Sequence, residues 1–168
     1  MSSHTLSSTL SNTLLNKTKK SDSIKHYNIL IVDDDHNIAN IFKDILVYRG
    51  HKVTIITESI SCLGKCQDTY YDIIFMDFHM ENLNGVELTD IIRDVYKNKS
   101  LVFAFTGDDS RSALNLFKEN GMDGALIKPI DIEIVSNLMN SLEVKHNIDK
   151  RAIKMLDTKQ FKKRLFIF

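Results

Sequence analysis

Five short strand-like segments, three of them apolar runs, alternate along the chain with five segments whose apolar residues recur at helical spacing. Unbroken apolar runs of this length predict strands that are buried on both faces, as in a parallel sheet. The predicted strands are 28–32, 52–57, 72–76, 101–105 and 124–127. This alternation indicates an α/β fold, a five-stranded parallel sheet with helices on both faces. The two common doubly wound strand orders are the dinucleotide-binding order and the flavodoxin-like order 2-1-3-4-5.

Acidic residues follow two of the predicted strands. Asp33 and Asp34 come after the first strand, and Asp77 comes after the third. The flavodoxin-like order puts the carboxyl ends of these strands side by side, where open α/β sheets bind their ligands. Three carboxylates there repel one another unless a cation lies among them, and Mg²⁺ prefers oxygen ligands. The pattern therefore predicts a Mg²⁺ site; the alternative is that residues 33–35 only cap the first helix, a role that suits Asp35.

Two further polar residues close predicted strands: Thr106 ends the fourth and Lys128 ends the fifth. Thr106 offers a hydroxyl group, and Lys128 offers a mobile positive charge for a carboxylate or a phosphoryl oxygen. These groups favour chemistry on an anionic group at the same edge of the sheet. The alternatives are that Lys128 only forms an ion pair with Asp77 and that Thr106 only forms a turn before Gly107.

Five motifs at these strand ends carry a resemblance to a known family. They are Ile-Val-Asp-Asp-Asp at 31–35, Met-Asp-Phe-His-Met at 76–80, Asn-Gly at 84–85, Phe-Thr-Gly at 105–107 and Ile-Lys-Pro at 127–129. In this order and spacing they resemble the receiver domain of two-component response regulators. The resemblance implies a receiver domain over residues 27–146 and selects the flavodoxin-like order 2-1-3-4-5.

The resemblance also implies the roles of the acids. Asp77 would be the phosphoacceptor. Asp34, Asp77 and the backbone carbonyl of His79 would ligate Mg²⁺ directly, and Asp33 would act through a metal-bound water. Aspartyl phosphates are covalent intermediates of a known type.

For the other site residues the resemblance implies contacts with the phosphoryl group. Lys128 would pair with that group, Thr106 would donate a hydrogen bond to it, and the Lys128–Pro129 peptide would be cis. One position departs from the family: Ala125 stands where the fifth strand usually carries an aromatic residue. This departure puts the usual output linkage in doubt, although not the phosphorylation itself.

Two polar segments flank the predicted domain. Residues 1–26 are rich in Ser, Thr, Asn and Lys, so they are predicted to be disordered. Residues 147–168 form a basic, amphipathic C-terminal extension. The stretch from Lys145 onward contains eight Lys or Arg residues and two acids. The extension is interpreted as a helix packed on the domain or a frayed end, or as a docking segment for an acidic partner or a membrane. It is too short for a helix-turn-helix domain, so no direct DNA binding is expected.

Composition predicts a cytoplasmic protein. The formal net charge is +0 and the hydrophobic fraction is 43%, which is ordinary for a soluble globular chain. No apolar run is long enough to span a bilayer, and the N-terminus lacks the apolar core of a signal peptide. Cys62 and Cys66 are predicted to be free thiols in a reducing compartment, because no further ligands complete a metal site.

The predicted function is a stand-alone receiver that takes a phosphoryl group from phosphohistidine onto Asp77 and acts as a phosphorelay switch or shuttle. The predicted partners are a histidine kinase or histidine phosphotransfer protein and a downstream protein target, with homodimerisation through the fourth and fifth helices as an option. It is not expected to be an enzyme beyond its own phosphorylation and dephosphorylation. The alternative, favoured by Ala125, is a pseudo-receiver that binds proteins independently of phosphorylation. A phosphatase of the haloacid-dehalogenase type is disfavoured, since His79 stands where that family needs a second Asp.

Overall fold

The sheet dominates the fold of the computed structural model, which describes residues 25–143 and 164–168. Its strands are β1 (Asn28–Val32), β2 (Lys52–Ile56), β3 (Ile73–Asp77), β4 (Leu101–Thr106), β5 (Gly124–Ile127) and β6 (Leu165–Ile167). They lie in the order β2-β1-β3-β4-β5-β6, with β1 to β5 parallel and β6 antiparallel to β5. The predicted order 2-1-3-4-5 is confirmed. The sixth strand adds to the five that the sequence predicts.

Four helices connect the parallel strands, a fifth follows β5, and together they cover the sheet. They are α1 (His36–Tyr48), α2 (Ser59–Asp68), α3 (Gly85–Asp90), α4 (Arg111–Glu119) and α5 (Ile132–Glu143). A π-helical segment, Ile91–Val95, continues α3. The side chain of Asp35 accepts hydrogen bonds from the N–H groups of Asn37 and Ile38, so its predicted role as the cap of α1 is confirmed.

Side chains alternate between two apolar clusters, one on each face of the sheet. Along β3, Ile73 and Phe75 join the cluster under α1 and α5, whereas Ile74 and Met76 join the cluster under α2, α3 and α4. Strands buried on both faces explain why their sequences are unbroken apolar runs. This packing fixes the strand ends, and with them the polar residues that follow.

The C-terminal strand β6 packs against the edge of β5. Leu165 is buried in the cluster under α1 and α5, and Phe166 packs against the opposite cluster. A Cβ atom on Gly124 would lie 2.3 Å from the carbonyl oxygen of Phe166, so this approach requires glycine. Residues 165–167 are therefore a strand and not part of the helix that one interpretation of the extension predicts.

The predicted boundary regions lie mostly outside the described residues. This holds for residues 1–24 of the segment predicted to be disordered and for residues 147–163 of the extension. Cys62 and Cys66 are buried free thiols on α2. None of the helices within the described ranges has the length and apolar character needed to cross a membrane.

Candidate functional site

Three carboxylates meet at the carboxyl ends of β1 and β3. These strands are direct neighbours, with Val32 in register with Met76, so the residues that follow them lie side by side. One carboxylate oxygen from each of Asp33, Asp34 and Asp77 lies within 4.8 Å of the other two. The structure thus brings together the three acids that the sequence predicted to converge.

Burial changes the acidity of Asp77. Asp77 is 5% exposed, whereas Asp34 lies on the surface. Burial raises the pKa of Asp77 above its ordinary value; the charge of Lys128 works against this, and the charges of Asp33 and Asp34 add to it. Asp77 is therefore a carboxylate whose negative charge is only partly compensated by the protein.

The Lys128 ammonium group lies between two of the acids. Its Nζ is 2.8 Å from Oδ2 of Asp33 and 3.1 Å from Oδ1 of Asp77, and it lies 4.8 Å from the centre of the Phe105 ring. Burial alone lowers the pKa of Lys128, but its hydrogen bond to Asp33 and the charges of Asp77 and Asp33 raise it overall. Lys128 therefore stays protonated at neutral pH and faces the acid cluster.

Thr106 lies fully buried at the end of β4, next to the acid-bearing strand β3. Its Oγ1 accepts a hydrogen bond from the N–H of Asp108 at 3.1 Å, and its carbonyl accepts one from the N–H of Lys128 at 2.7 Å. Asp108 in turn accepts from the N–H of Ser110, and this backbone hydrogen bond lowers the pKa of Asp108. The hydroxyl group thus belongs to a loop that is bonded to the backbone of Lys128.

Comparison with known proteins decides the family. The family profile of the response regulator receiver domain matches residues 29–140. The chain belongs to this family. Transcription factor SKN7 of Candida albicans is 28% identical to it over 138 residues, which are 82% of this chain and 24% of that protein. The autoinducer sensor kinase/phosphatase CqsS of Vibrio cholerae is 31% identical over 112 residues, 65% of this chain and 16% of that protein.

The solved structures agree with the fold of this receiver. The receiver domain of the Francisella response regulator 1452 has a TM-score of 0.66 and 25% sequence identity, covering 73% of this chain and all of that domain. The chain spans less than a quarter of the length of the two curated relatives above. It is a receiver domain of two-component signalling, as the sequence motifs indicated.

The acid cluster of this receiver fits a Mg²⁺ ion. Octahedral Mg²⁺ holds oxygen ligands at about 2.0–2.1 Å, which places ligands on opposite sides of the ion about 4 Å apart. The three carboxylate oxygens lie within 4.8 Å of one another, which suits an ion held directly by Asp34 and Asp77 and through a water by Asp33. Receiver domains generally bind Mg²⁺ at such a pocket. His79 is exposed on the loop two residues beyond Asp77, and its carbonyl ligand role stays a prediction.

The loop after Asp77 is held close to the receiver site by Gly85. A Cβ atom at this position would lie 2.3 Å from the carbonyl oxygen of Asp77, and the N–H of Gly85 donates to the carbonyl of Phe78. Asn84 caps α3 in a reciprocal pair with Glu87. The sequence contained the Asn84–Gly85 motif as part of the resemblance, but the steric reason for glycine needed the structure.

One residue near the site was missed by the sequence analysis. Arg164, which precedes β6, donates hydrogen bonds to the carbonyls of Ile127 and Pro129, on either side of Lys128. The Lys128–Pro129 peptide is cis, as the resemblance implies. No local pattern indicates that a basic residue close to the C-terminus contacts the fifth strand.

Proposed function

We propose that this receiver accepts a phosphoryl group from a phosphohistidine onto the carboxylate of Asp77. The observation that carries the proposal is the position of Lys128, whose Nζ lies within 3.1 Å of Asp33 and Asp77 beside three clustered carboxylates. A strand-end carboxylate with a protonated lysine next to it suits attack on an anionic phosphorus centre, where alignment and charge neutralisation matter most.

In the proposed step an oxygen of Asp77 attacks phosphorus. The new O–P bond forms as the P–N bond to the histidine breaks, and the electron pair of that bond returns to the imidazole. Lys128 offers positive charge to the transferring oxygens, and the Thr106 hydroxyl is the candidate donor to the bound phosphoryl group. The product adds about −1.5 to −2 charges near Lys128, which favours movement of the Thr106 loop.

The Mg²⁺ site is part of the proposal. Asp34, Asp77 and the carbonyl of His79 would hold the ion directly, and Asp33 would hold it through water. When bound, the ion supplies positive charge that offsets the repulsion between these acids and the incoming phosphoryl oxygens. The 4.8 Å cluster supports this assignment.

The proposed donors are a histidine kinase or a histidine phosphotransfer protein. Support comes from the family, and from a relative that is itself a sensor kinase/phosphatase. We further propose a cytoplasmic location, a separate downstream protein as target, and no direct binding to DNA. Homodimerisation through α4 and α5 stays a prediction, which gel filtration with and without a phosphate mimic would test.

The proposed activity is limited to Asp77 of the chain itself. Sustained release of phosphate from small phosphomonoesters would contradict this and would make the protein an enzyme in the ordinary sense. The geometry of Lys128 favours phosphate acceptance over the pseudo-receiver alternative, because a binding module has no need of a cation aimed at the acids. That the receiver acts alone, as a phosphorelay switch or shuttle, also stays a prediction, which the size of the native protein in its source cells would test.

The deciding experiment is intact-mass measurement after incubation with Mg²⁺ and acetyl phosphate. The wild-type protein is expected to gain one phosphoryl group, and the Asp77→Asn variant is expected to gain none. The Asp68→Asn variant is a matched control, because Asp68 is an exposed acid at the end of α2. Absence of the adduct from the wild type, or its presence on Asp77→Asn, would refute the assignment.

A further inference from the structure

Arg164 reaches across the loop that carries Lys128. Its Nη2 donates to the carbonyl of Ile127 at 3.3 Å and also to the carbonyl of Pro129. Its own carbonyl accepts a hydrogen bond from the N–H of Ile127 at 2.8 Å. A single residue of the C-terminal segment is therefore bonded to both neighbours of Lys128.

The same guanidinium group extends to the start of α5. Its Nη1 lies 3.9 Å from Oδ2 of Asp131, while Oδ1 of Asp131 accepts from the N–H groups of Glu133 and Ile134. Asp131 is thus both the cap of α5 and a partner of Arg164. The contacts of Arg164 tie the end of β5 to the beginning of α5, with Lys128 in the loop between them.

Arg164 is itself held in place by β6. Leu165 is buried, Phe166 is in register with Ala125, and the N–H of Phe168 donates to the carbonyl of Asp123 at 3.0 Å. Gly124 makes room for this strand on β5, because a Cβ atom there would meet the carbonyl oxygen of Phe166. A planar guanidinium on an anchored backbone makes directional contacts with carbonyl oxygens that a mobile lysine would not reproduce.

We propose that Arg164 is a positioning residue for Lys128, so that the C-terminal segment forms part of the phosphoacceptor site. This inference rests on the proposed function of Asp77. The Nζ of Lys128 pairs with Asp33 and Asp77, and its backbone N–H donates to the carbonyl of Thr106. Arg164 fixes the loop from which the Lys128 side chain extends. A displacement of about 1 Å at a reacting group can cost 10²-fold in rate, which makes such support consequential.

The test compares Arg164→Met, which keeps the aliphatic stem, with Arg164→Lys and with Lys52→Met, an exposed cation on the far strand β2. Rates of phosphorylation by acetyl phosphate are measured at saturating Mg²⁺, and Mg²⁺ affinity is measured by calorimetry. Arg164→Met is expected to slow phosphorylation about tenfold while changing Mg²⁺ affinity less than about twofold. Arg164→Lys should recover part of the rate, and Lys52→Met should match the wild type.

A second variant and a second readout keep the test decisive. Asp131→Asn keeps a helix-capping side chain but loses the charge that faces Arg164, so it should fold and slow phosphorylation about twofold. The nitrogen NMR signal of the Lys128 ammonium group at fixed pH reports its contacts without any phosphoryl transfer. It should shift in Arg164→Met and stay unchanged in Lys52→Met.

The outcomes separate this inference from the function on which it rests. A wild type that takes up no phosphoryl group refutes the function, and the Lys128 signal still decides the role of Arg164. An unchanged rate and an unchanged Lys128 signal in Arg164→Met would overturn the inference. So would an equal loss of Mg²⁺ affinity, because the acids would then have moved as well. A loss of thermal stability alone, with a wild-type rate, would assign Arg164 a purely structural role.

Discussion

Two charged clusters stand at opposite ends of the parallel sheet, and they are built differently. At the amino end of β4 and β5, Arg93 donates to Asp123 at 2.8 Å and to the carbonyls of Gly121, Asn98 and Ser100. The same oxygen of Asp123 also accepts from the N–H of Val102 at 2.9 Å. Within the described part of the chain, one guanidinium group thus pairs with one carboxylate, and the N–H groups of Arg93 donate to carboxylate and carbonyl oxygens.

At the carboxyl end the charges do not balance. Among the described residues, Lys128 faces Asp33 and Asp77, with Asp34 in the same cluster of acids. Burial, together with the charges of Asp33 and Asp34, raises the pKa of Asp77 despite the opposing charge of Lys128.

The difference teaches how to distinguish a structural ion pair from a reactive site. Both clusters hold a cation against a buried acid. Among the described residues, the cluster at the carboxyl end has three carboxylates to one lysine, and such a cluster is stable chiefly when a further cation is added. We therefore expect substitutions at the amino end to act mainly on stability and substitutions at the carboxyl end to act mainly on chemistry.

The largest expected effect on stability belongs to the cluster at the amino end. Arg93→Met should lower the free energy of unfolding by about 3 kcal/mol, because it removes a guanidinium that pairs with a largely buried carboxylate and donates to three backbone carbonyls. Urea unfolding measures this change. The folded variant should still be phosphorylated at the wild-type rate, since Arg93 lies at the far end of the sheet. A folded variant that had lost phosphorylation would break the proposed division.

Among the residues that assist Asp77, the largest expected effect on chemistry belongs to Lys128. Lys128→Met should slow phosphorylation by acetyl phosphate about 10²-fold, the usual loss when one preorganised group is removed from a charged transition state. Phos-tag electrophoresis or intact mass at timed intervals measures the rate. Lys97→Met, which removes an exposed lysine elsewhere on the surface, is the control. A wild-type rate in Lys128→Met would leave the lysine with only the role of a structural ion pair.

The sequence predicted this end of the sheet better than the other. Asp33, Asp77 and Lys128 follow strands whose apolar runs are local signals, and the order of parallel strands then brings the strand ends together. Arg93 lies in the π-helical segment Ile91–Val95 and Asp123 directly precedes β5, so their contact arises only in the tertiary fold. Nothing in either segment signals the other residue.

The C-terminal strand shows the same limit. Three residues of strand after a basic segment give no periodicity, and their partner lies far away along the chain. From the sequence alone, Ala125 leaves the fifth strand without the aromatic residue that is usual in the family. In the structure Phe166 of β6 lies directly opposite Ala125 and packs in the same cluster. The neighbouring strand thus places an aromatic ring next to Ala125.

A smaller effect is expected from Asp34, the exposed member of the acid cluster. Asp34→Asn should weaken Mg²⁺ binding about tenfold, since one charge pair near a protein surface contributes between about 1 and 4 kcal/mol. Without Mg²⁺ the same variant should be slightly more stable than the wild type, because a repulsive charge is gone. Calorimetric titration and urea unfolding in a chelator give the two values. A loss of stability in the chelator would contradict the surplus of negative charge at this end.

The smallest expected effect is the pH dependence of stability that arises from Asp77 in the metal-free protein. The pKa of Asp77 is raised by burial, so the folded chain keeps this proton at pH values where the unfolded chain, with an ordinary pKa of 3.8, has released it. Unfolding then releases a proton, and stability falls as the pH rises through the interval between the ordinary pKa and the raised one.

Because other acids titrate in the same interval, the quantity to measure is the free energy of unfolding of the wild type minus that of Asp77→Asn, in a chelator. This difference should become less favourable to the wild type with rising pH, by less than about 1.4 kcal/mol per pH unit. Saturating Mg²⁺ should flatten or reverse the slope, because it favours the ionised carboxylate. A difference that rose with pH in the chelator would mean that Lys128 already compensates the charge of Asp77 fully. The surplus of negative charge at this end of the sheet would then be refuted.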